Sequence, residues 1–76
     1  EDMPEATYPV GTEIWLVELL RENKLCASGG EARRLIKQGA VKIDDVQIKD
    51  DKYNLIIDGE VIVKCGKRRF LRVKEG

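Results

Sequence analysis

The chain has 76 residues, enough for one domain with a modest core, and its 14 basic and 14 acidic side chains cancel to a net charge of zero. No apolar run approaches the roughly 20 residues that span a bilayer, so we expect no membrane segment and no membrane partner. With no histidine, no phosphate-binding glycine loop and no nucleophile motif, we expect no catalysis, cofactor or small-molecule substrate within these residues.

The first eleven residues, EDMPEATYPVG, contain both prolines and show neither helical nor strand periodicity. We interpret residues 1–11 as a linker from an upstream domain and residues 12–76 as the folded domain. Thr12 is a suitable N-cap for a first helix over residues 13–22. The side chains of this segment are mostly apolar, which predicts a buried helix, and Asn23 suits its exit.

A second helix is predicted after Ser28, because Ser28 and Glu31 have the spacing of a capping box and Gly39 provides a left-handed stop. At about 100° per residue, its apolar and basic side chains fall on opposite sides. The apolar side contains Ala32, Leu35 and Ile36, and the basic side contains Arg33, Arg34 and Lys37. A solvated helix face is one explanation of the basic side, and a face that binds an anion is the other.

Short strands follow the second helix, because runs of β-branched residues alternate with turn residues. They are expected at residues 41–43, 46–48, 53–57, 60–64 and 68–73. In the last of them we expect Arg68, Phe70 and Arg72 to face solvent. The predicted fold class is α+β, with two main helices packed beside a small, mostly antiparallel sheet of four or five strands.

The charges are distributed in blocks. Residues 23–43 carry five basic side chains and one acidic side chain, and residues 61–76 carry six basic side chains and one acidic side chain. In the rest of the chain, acidic side chains outnumber basic ones. If folding places the two basic blocks side by side, they form one positive surface suited to RNA or DNA. The arginine pairs at 33–34 and 68–69 suit two-pronged phosphate contacts. A charged edge strand that discourages aggregation is the alternative for the second block.

Two cysteines, Cys26 and Cys65, are far apart in sequence, and paired metal-ligand spacings are missing. We interpret them as small buried residues in a reducing compartment, and expect no metal site. A disulfide between them is possible but nothing in the sequence requires one.

The residues from the second helix onward resemble a known RNA-binding family. Leu25, Ser28, EARRLI at 31–36, GAV at 39–41 and Val46 match the ribosomal-protein-S-four-like (alpha-L) RNA-binding domain, over about residues 12 to 64. The ending, DGEVIV at 58–63 and GKRRFLRV at 66–73, narrows the resemblance to the C-terminal domain of bacterial tyrosyl-tRNA synthetases. Asp44 and Asp45 stand where that family has Asn-Gly, and two carboxylates would repel a phosphate.

This resemblance implies a non-catalytic part of a tyrosine–tRNA ligase that recognises tyrosine tRNA by its long variable arm and anticodon stem. It implies no cofactor, a cytoplasmic location, a monomeric isolated domain and a homodimeric parent enzyme. The expected RNA-binding residues are Lys24, Ser28, Arg33, Arg34, Lys37, Lys67, Arg68, Arg69 and Arg72.

Two alternatives remain open from the sequence. The same domain type occurs in ribosomal proteins, in pseudouridine synthases and in a heat-shock protein of stalled ribosomes, so a different RNA-binding parent is one alternative. The other is a protein-interaction module that docks a partner through the acidic helix and a hairpin edge.

Overall fold

The computed structural model describes residues 3–76, whose strands form two sheets. In chain order the elements are β1 (Glu5–Tyr8), β2 (Glu13–Trp15), α1 (Leu16–Glu22), α2 (Gly29–Lys37), β3 (Val41–Ile43), β4 (Val46–Ile48), β5 (Asn54–Ile56), β6 (Val61–Cys65) and β7 (Arg69–Glu75). Five strands form the main sheet in the order β1-β7-β6-β3-β4, and β2 pairs with β5 separately. All pairs are antiparallel except β1 with β7. The predicted α+β class, with two helices beside a small sheet, is confirmed.

The core lies between one face of the main sheet and the two helices. Strand side chains alternate between the two faces of a sheet, and the buried set of each central strand points to the helices. Leu71 and Val73 belong to this set, which confirms that Phe70 and Arg72 lie on the other side, here called the outer face. The core residues of the sheet and helices are Val41, Ile43, Val63, Cys65, Leu71, Val73, Leu16, Val17, Leu19, Leu20, Ala32 and Ile36.

The first helix begins later than predicted. α1 starts at Leu16, because residues 13–15 pair as β2 with β5. Thr12 is therefore not its N-cap, and its hydroxyl donates to the Pro9 carbonyl at 2.6 Å instead. Asn23 does cap the exit, since its side chain donates to the Leu19 carbonyl at 2.9 Å. Neither helix of residues 3–76 has the length and apolar content to cross a membrane.

The segment expected to be an irregular linker contributes a strand. Glu5–Tyr8 pairs in parallel with β7, and the Tyr8 hydroxyl donates to Glu22 Oε1 at 3.0 Å. The expectation of no regular structure is therefore wrong for these four residues. Residues 1 and 2 of the expected linker lie outside the described residues, and the domain boundary at residue 12 stays a prediction.

Candidate nucleic-acid interface

The start of α2 is fixed by the predicted capping box. Ser28 Oγ accepts from the Glu31 N–H at 3.2 Å, and Glu31 Oε1 accepts from the Ala27 N–H at 2.7 Å. In the usual capping box the glutamate accepts from the N–H of the capping residue, which here is Ser28. Glu31 accepts from the residue before it, so the N–H groups of Ala27 and Glu31 both have acceptors. Gly39 ends the helix with a φ of +78°, as predicted. Local sequence therefore determines where the basic side chains of α2 are placed.

The three basic residues of α2 do not share one environment. The Arg33 guanidinium carbon lies 5.3 Å from the centre of the Trp15 ring, a cation–π contact. Lys37 Nζ lies 3.5 Å from Asp51 Oδ2. Arg34 is exposed, and no carboxylate of residues 3–76 lies within 4 Å of it. Arg33 and Lys37 thus lie on the flank of α2 near β2, whereas Arg34 is available to a ligand.

The turn between β6 and β7 carries the second basic group, Lys67, Arg68 and Arg69, which we call the basic turn. Two hydrogen bonds connect this region to both ends of α2. The Gly66 N–H donates to the Ala40 carbonyl at 2.8 Å, just after the helix. Arg69 Nη1 donates to the Leu25 carbonyl, just before it. The basic turn is therefore held beside α2 by backbone carbonyls at fixed positions.

A shallow groove separates the basic turn from α2. Its volume is about 360 Å³. Glu31 and Leu35 line the helix side, and the residues from Cys65 to Arg69 line the other. All three side chains of the basic turn are exposed. The groove thus brings the basic turn beside α2, whose own lining side chains are Glu31 and Leu35 rather than its basic residues.

The structure separates the nine predicted binding residues into four groups. Lys24, Ser28 and the basic turn lie around the start of α2, because Lys24 directly precedes the carbonyl that Arg69 holds. Arg34 lies on the solvent side of the same helix, and Arg33 and Lys37 occupy its flank near β2. Arg72 lies on the outer face of the sheet, away from the helices.

Acidic partners surround Arg72. Its Nη1 lies 3.3 Å from Glu5 Oε2 and its Nε lies 3.1 Å from Glu60 Oε2, the latter without hydrogen-bond alignment. Lys74 Nζ lies 3.7 Å from Glu5 Oε1. Glu5 belongs to β1, so the strand that was not predicted neutralises part of the second basic block. Among residues 3–76, Arg72 already has two carboxylates within 4 Å, more than any other of the nine predicted binding residues.

Two lysines on the outer face belong to the basic blocks but are not among the nine predicted binding residues. Lys42 in β3 is directly opposite Lys64 in β6, and Lys64 is directly opposite Phe70 in β7. The alternation of each strand places these side chains on the solvent side. Only the strand pairing, which needs the fold, places them in one row.

The two cysteines lie together in the core. Their Sγ atoms are 3.6 Å apart, and both residues are free thiols and buried, as predicted. Burial, with the neighbouring Cys65, raises the pKa of Cys26 to about 12. Burial also raises the pKa of Cys65. Both thiols therefore stay protonated near neutral pH and pack as small apolar groups.

Comparison with known proteins gives a consistent family. The family model described as the tyrosine–tRNA ligase SYY-like C-terminal domain matches residues 1–73. The tyrosine–tRNA ligase of Syntrophotalea carbinolica is 46% identical over 74 residues, which cover 97% of this chain and 18% of that protein. The tyrosine–tRNA ligase of Desulfotalea psychrophila is 42% identical over 73 residues, which cover 96% of this chain and 18% of that protein. Tyrosine–tRNA ligase 2 of Vibrio vulnificus is 40% identical over 73 residues, which also cover 96% of this chain and 18% of that protein. The chain thus spans less than a fifth of the length of these relatives.

Proposed function

The chain belongs to the family of tyrosine–tRNA ligase SYY-like C-terminal domains, and from this premise we propose that it binds folded tRNA through the surface that α2 shares with the basic turn. Membership of this family favours a synthetase over the ribosomal and pseudouridine synthase parents that the sequence left open. Tyrosine tRNA, read at its long variable arm and anticodon stem, is the RNA that the resemblance implies.

The observation that carries this proposal is the groove between α2 and the basic turn. A surface selected for stability alone would intersperse acidic side chains, since neighbouring cations repel one another. At this groove Lys67 and Arg68 have no carboxylate of residues 3–76 within 4 Å, and neither does Arg34 on the solvent side of α2. Glu31, the acidic residue that lines the groove, accepts from the Ala27 N–H instead. Phosphates of a folded RNA would supply the missing negative charge.

The mechanism is recognition of shape rather than of base sequence. Arginine forks can hold two phosphate oxygens at once, and α2 with the basic turn presents them from two rigid elements. A double-stranded stem spaces its phosphates regularly, so a fixed arrangement of cations selects it over a flexible strand. Neutralised phosphates release counterions, so the affinity falls steeply as salt rises.

The rest of the parent protein enters the proposal with the same family. We infer that aminoacylation is performed by another part of a tyrosine–tRNA ligase, that the parent is a homodimer in the cytoplasm, and that this domain is monomeric and non-catalytic. Its part would be to fix the position of the tRNA. A second attachment point raises the effective concentration of the reacting end of the tRNA at the part of the enzyme that performs aminoacylation.

The proposal is tested by fluorescence anisotropy with a tyrosine-tRNA transcript at about 50 mM and about 200 mM salt. We expect the double variant Lys67→Ala, Arg68→Ala to lose about tenfold or more in affinity at the lower salt. We expect its salt slope to be shallower by about 1.4 to 1.8, because two phosphate contacts are removed.

The control removes two exposed cations elsewhere, by Arg21→Ala and Lys52→Ala. It has the same net charge as the test variant, so any long-range electrostatic effect is equal. We expect the control to bind nearly as the unmodified chain does, with both variants folded by circular dichroism. Equal losses in the two variants would place the interface elsewhere. Binding that is absent or indifferent to salt would favour the protein-interaction module instead.

A further inference from the structure

The outer face of the main sheet carries an aromatic side chain in a row of lysines. Strand pairing places Lys42, Lys64 and Phe70 side by side on β3, β6 and β7. All three are half-buried, and none of them belongs to the core. Lys64 Nζ lies 5.5 Å from the centre of the Phe70 ring. An apolar ring on a solvent face, with cations around it, is a surface that a nucleobase and its phosphate can cover together.

The lysines of this row have no acidic partners of their own. No carboxylate of residues 3–76 lies within 4 Å of Lys42, Lys64 or Lys67. These three side chains line one groove with the backbone of Gly39, Ala40 and Gly66. Arg72 and Lys74, further along the same face, are paired with Glu5 and Glu60. The unpaired charge is therefore concentrated at the end of the face that contains Phe70.

Acidic side chains lie at the other end of the row that Lys42, Lys64 and Phe70 form. Asp44 and Asp45 line a second groove, together with Ile62, Lys64 and Phe70. Asp44 Oδ1 accepts from the Ile62 N–H at 2.9 Å, which holds that carboxylate at the groove. Phosphates are repelled from this end and attracted to the lysine end. A nucleotide on Phe70 would thus place its phosphates toward Lys42 and Lys64.

We propose that the outer face binds an unpaired nucleotide of the RNA, with its base stacked on Phe70 and its phosphates held by Lys42 and Lys64. This inference rests on the proposed function, because Lys67 belongs both to this groove and to the basic turn. One RNA could then contact α2 and the basic turn with a stem and the outer face with an adjoining unpaired nucleotide. Stacking requires an exposed base, so it selects an unpaired nucleotide over a base pair.

The first test uses a single-stranded RNA octamer of mixed sequence as the probe, and an RNA duplex of the same length as its control. We expect Phe70→Leu to weaken octamer binding about 5- to 160-fold, the range for loss of one stacked base, and to leave duplex binding unchanged. Phe70→Trp restores stacking and is expected to bind the octamer at least as tightly as the unmodified chain. Equal octamer binding by all three proteins would overturn the inference.

A second measurement does not depend on any variant. The unmodified chain is photocrosslinked to the same octamer carrying 4-thiouridine, and the attached peptides are identified by mass spectrometry. We expect crosslinks on the segment that contains Phe70. Crosslinks confined to α2 would contradict the inference even if every variant misfolded.

The two proposals can fail separately. If the tyrosine-tRNA transcript does not bind the unmodified chain, the proposed function fails. If it binds and the Lys67→Ala, Arg68→Ala variant weakens it, but Phe70→Leu alters neither octamer nor tRNA binding, only the inference about the outer face fails.

Discussion

Single residues that we propose as RNA contacts also have structural roles. Arg69 holds the Leu25 carbonyl, Arg33 covers the Trp15 ring, and Ser28 caps α2. The cap was predictable because both partners lie within four residues of each other. The contacts of Arg33 and Arg69 were not, because their partners are 18 and 44 residues away in sequence. A basic residue can be recognised from sequence, but whether it is free to bind depends on distant partners.

Ser28 allows its two roles to be separated. Its Oγ accepts from Glu31, which leaves the hydroxyl hydrogen free to donate to a phosphate. We expect Ser28→Ala to lose about 1 kcal/mol of unfolding free energy, which lowers the melting temperature by about 4–8 °C. Ser28→Asp keeps the cap and should keep the melting temperature, while its carboxylate repels phosphate and weakens tRNA binding. If Ser28→Asp binds tRNA normally, Ser28 serves α2 only.

The thiols provide a test of the core that is independent of RNA. Because burial raises the pKa of Cys26 to about 12, from an ordinary value of 9.0, its thiolate is scarce in the folded chain. Alkylation by iodoacetamide needs the thiolate. We expect both thiols of the folded chain to react far more slowly at pH 9 than those of the chain unfolded in guanidinium, because the folded thiols are buried and protonated. Equal rates in the folded and unfolded chains would contradict the packing of this pair.

The same pKa shift predicts how stability depends on pH. The folded chain holds the Cys26 proton more tightly than the unfolded chain, so the protonated thiol favours folding. This contribution is fully present below about pH 9 and is lost as the pH rises toward about 12. Urea denaturation of the unmodified chain and of Cys26→Ala, across this range, should show the pH dependence reduced in the variant. Equal pH dependence in the two proteins would assign it to other groups.

Whole elements were predictable where local signals agree. α2 lies between its capping serine and its stop glycine, and β3 and β4 have the expected bounds. β1 and β2 were not predicted because each is short and has no periodicity of its own. β2 needs β5 from some 40 residues away, and β1 needs the last strand of the chain. Such strands are formed by pairing rather than by propensity.

The stop of α2 is the element boundary that is easiest to test. Gly39 and Gly59 both have positive φ, +78° and +84°. A methyl group on Gly59 would meet nothing within 4 Å, but one on Gly39 would overlap the Gln47 side chain, whose amide donates to the Gly39 carbonyl. We expect Gly59→Ala to lose about 1 kcal/mol from backbone strain alone.

For Gly39→Ala we expect the free energy of unfolding to fall by about 2 kcal/mol, because the hydrogen bond from Gln47 is lost in addition to the backbone strain. Urea denaturation with a common slope for both variants measures the difference. If Gly59→Ala and Gly39→Ala lower the free energy of unfolding equally, then the Gln47 side chain moves aside without loss and does not stabilise this end of α2.

At the scale of the whole molecule, a neutral chain separates its charges by folding. The basic turn does lie beside α2, but the α2 side chains that face it are Glu31 and Leu35, while Arg33 and Lys37 lie on the flank near β2. The distribution within the second block was not predictable, because it depends on β1, which brings Glu5 against Arg72 and Lys74. The N-terminal strand therefore sets how far the positive surface extends along the outer face.

This boundary can be moved by one substitution. Glu5→Gln removes the carboxylate that pairs with Arg72 and Lys74 but keeps the side-chain shape, so Lys74 becomes available to phosphate and Arg72 keeps only Glu60 beside it. The control is Glu13→Gln, which changes the net charge equally on β2, where Glu13 accepts from Asn54 at 3.0 Å. We expect Glu5→Gln to raise the affinity for tRNA about two- to fivefold more than Glu13→Gln, and its salt slope to become steeper because more phosphates are neutralised. Anisotropy titrations of the three proteins at two salt concentrations measure both quantities. If Glu5→Gln and Glu13→Gln raise the affinity for tRNA equally, net charge alone governs binding. The part of the outer face that contains Arg72 and Lys74 then does not contact the RNA.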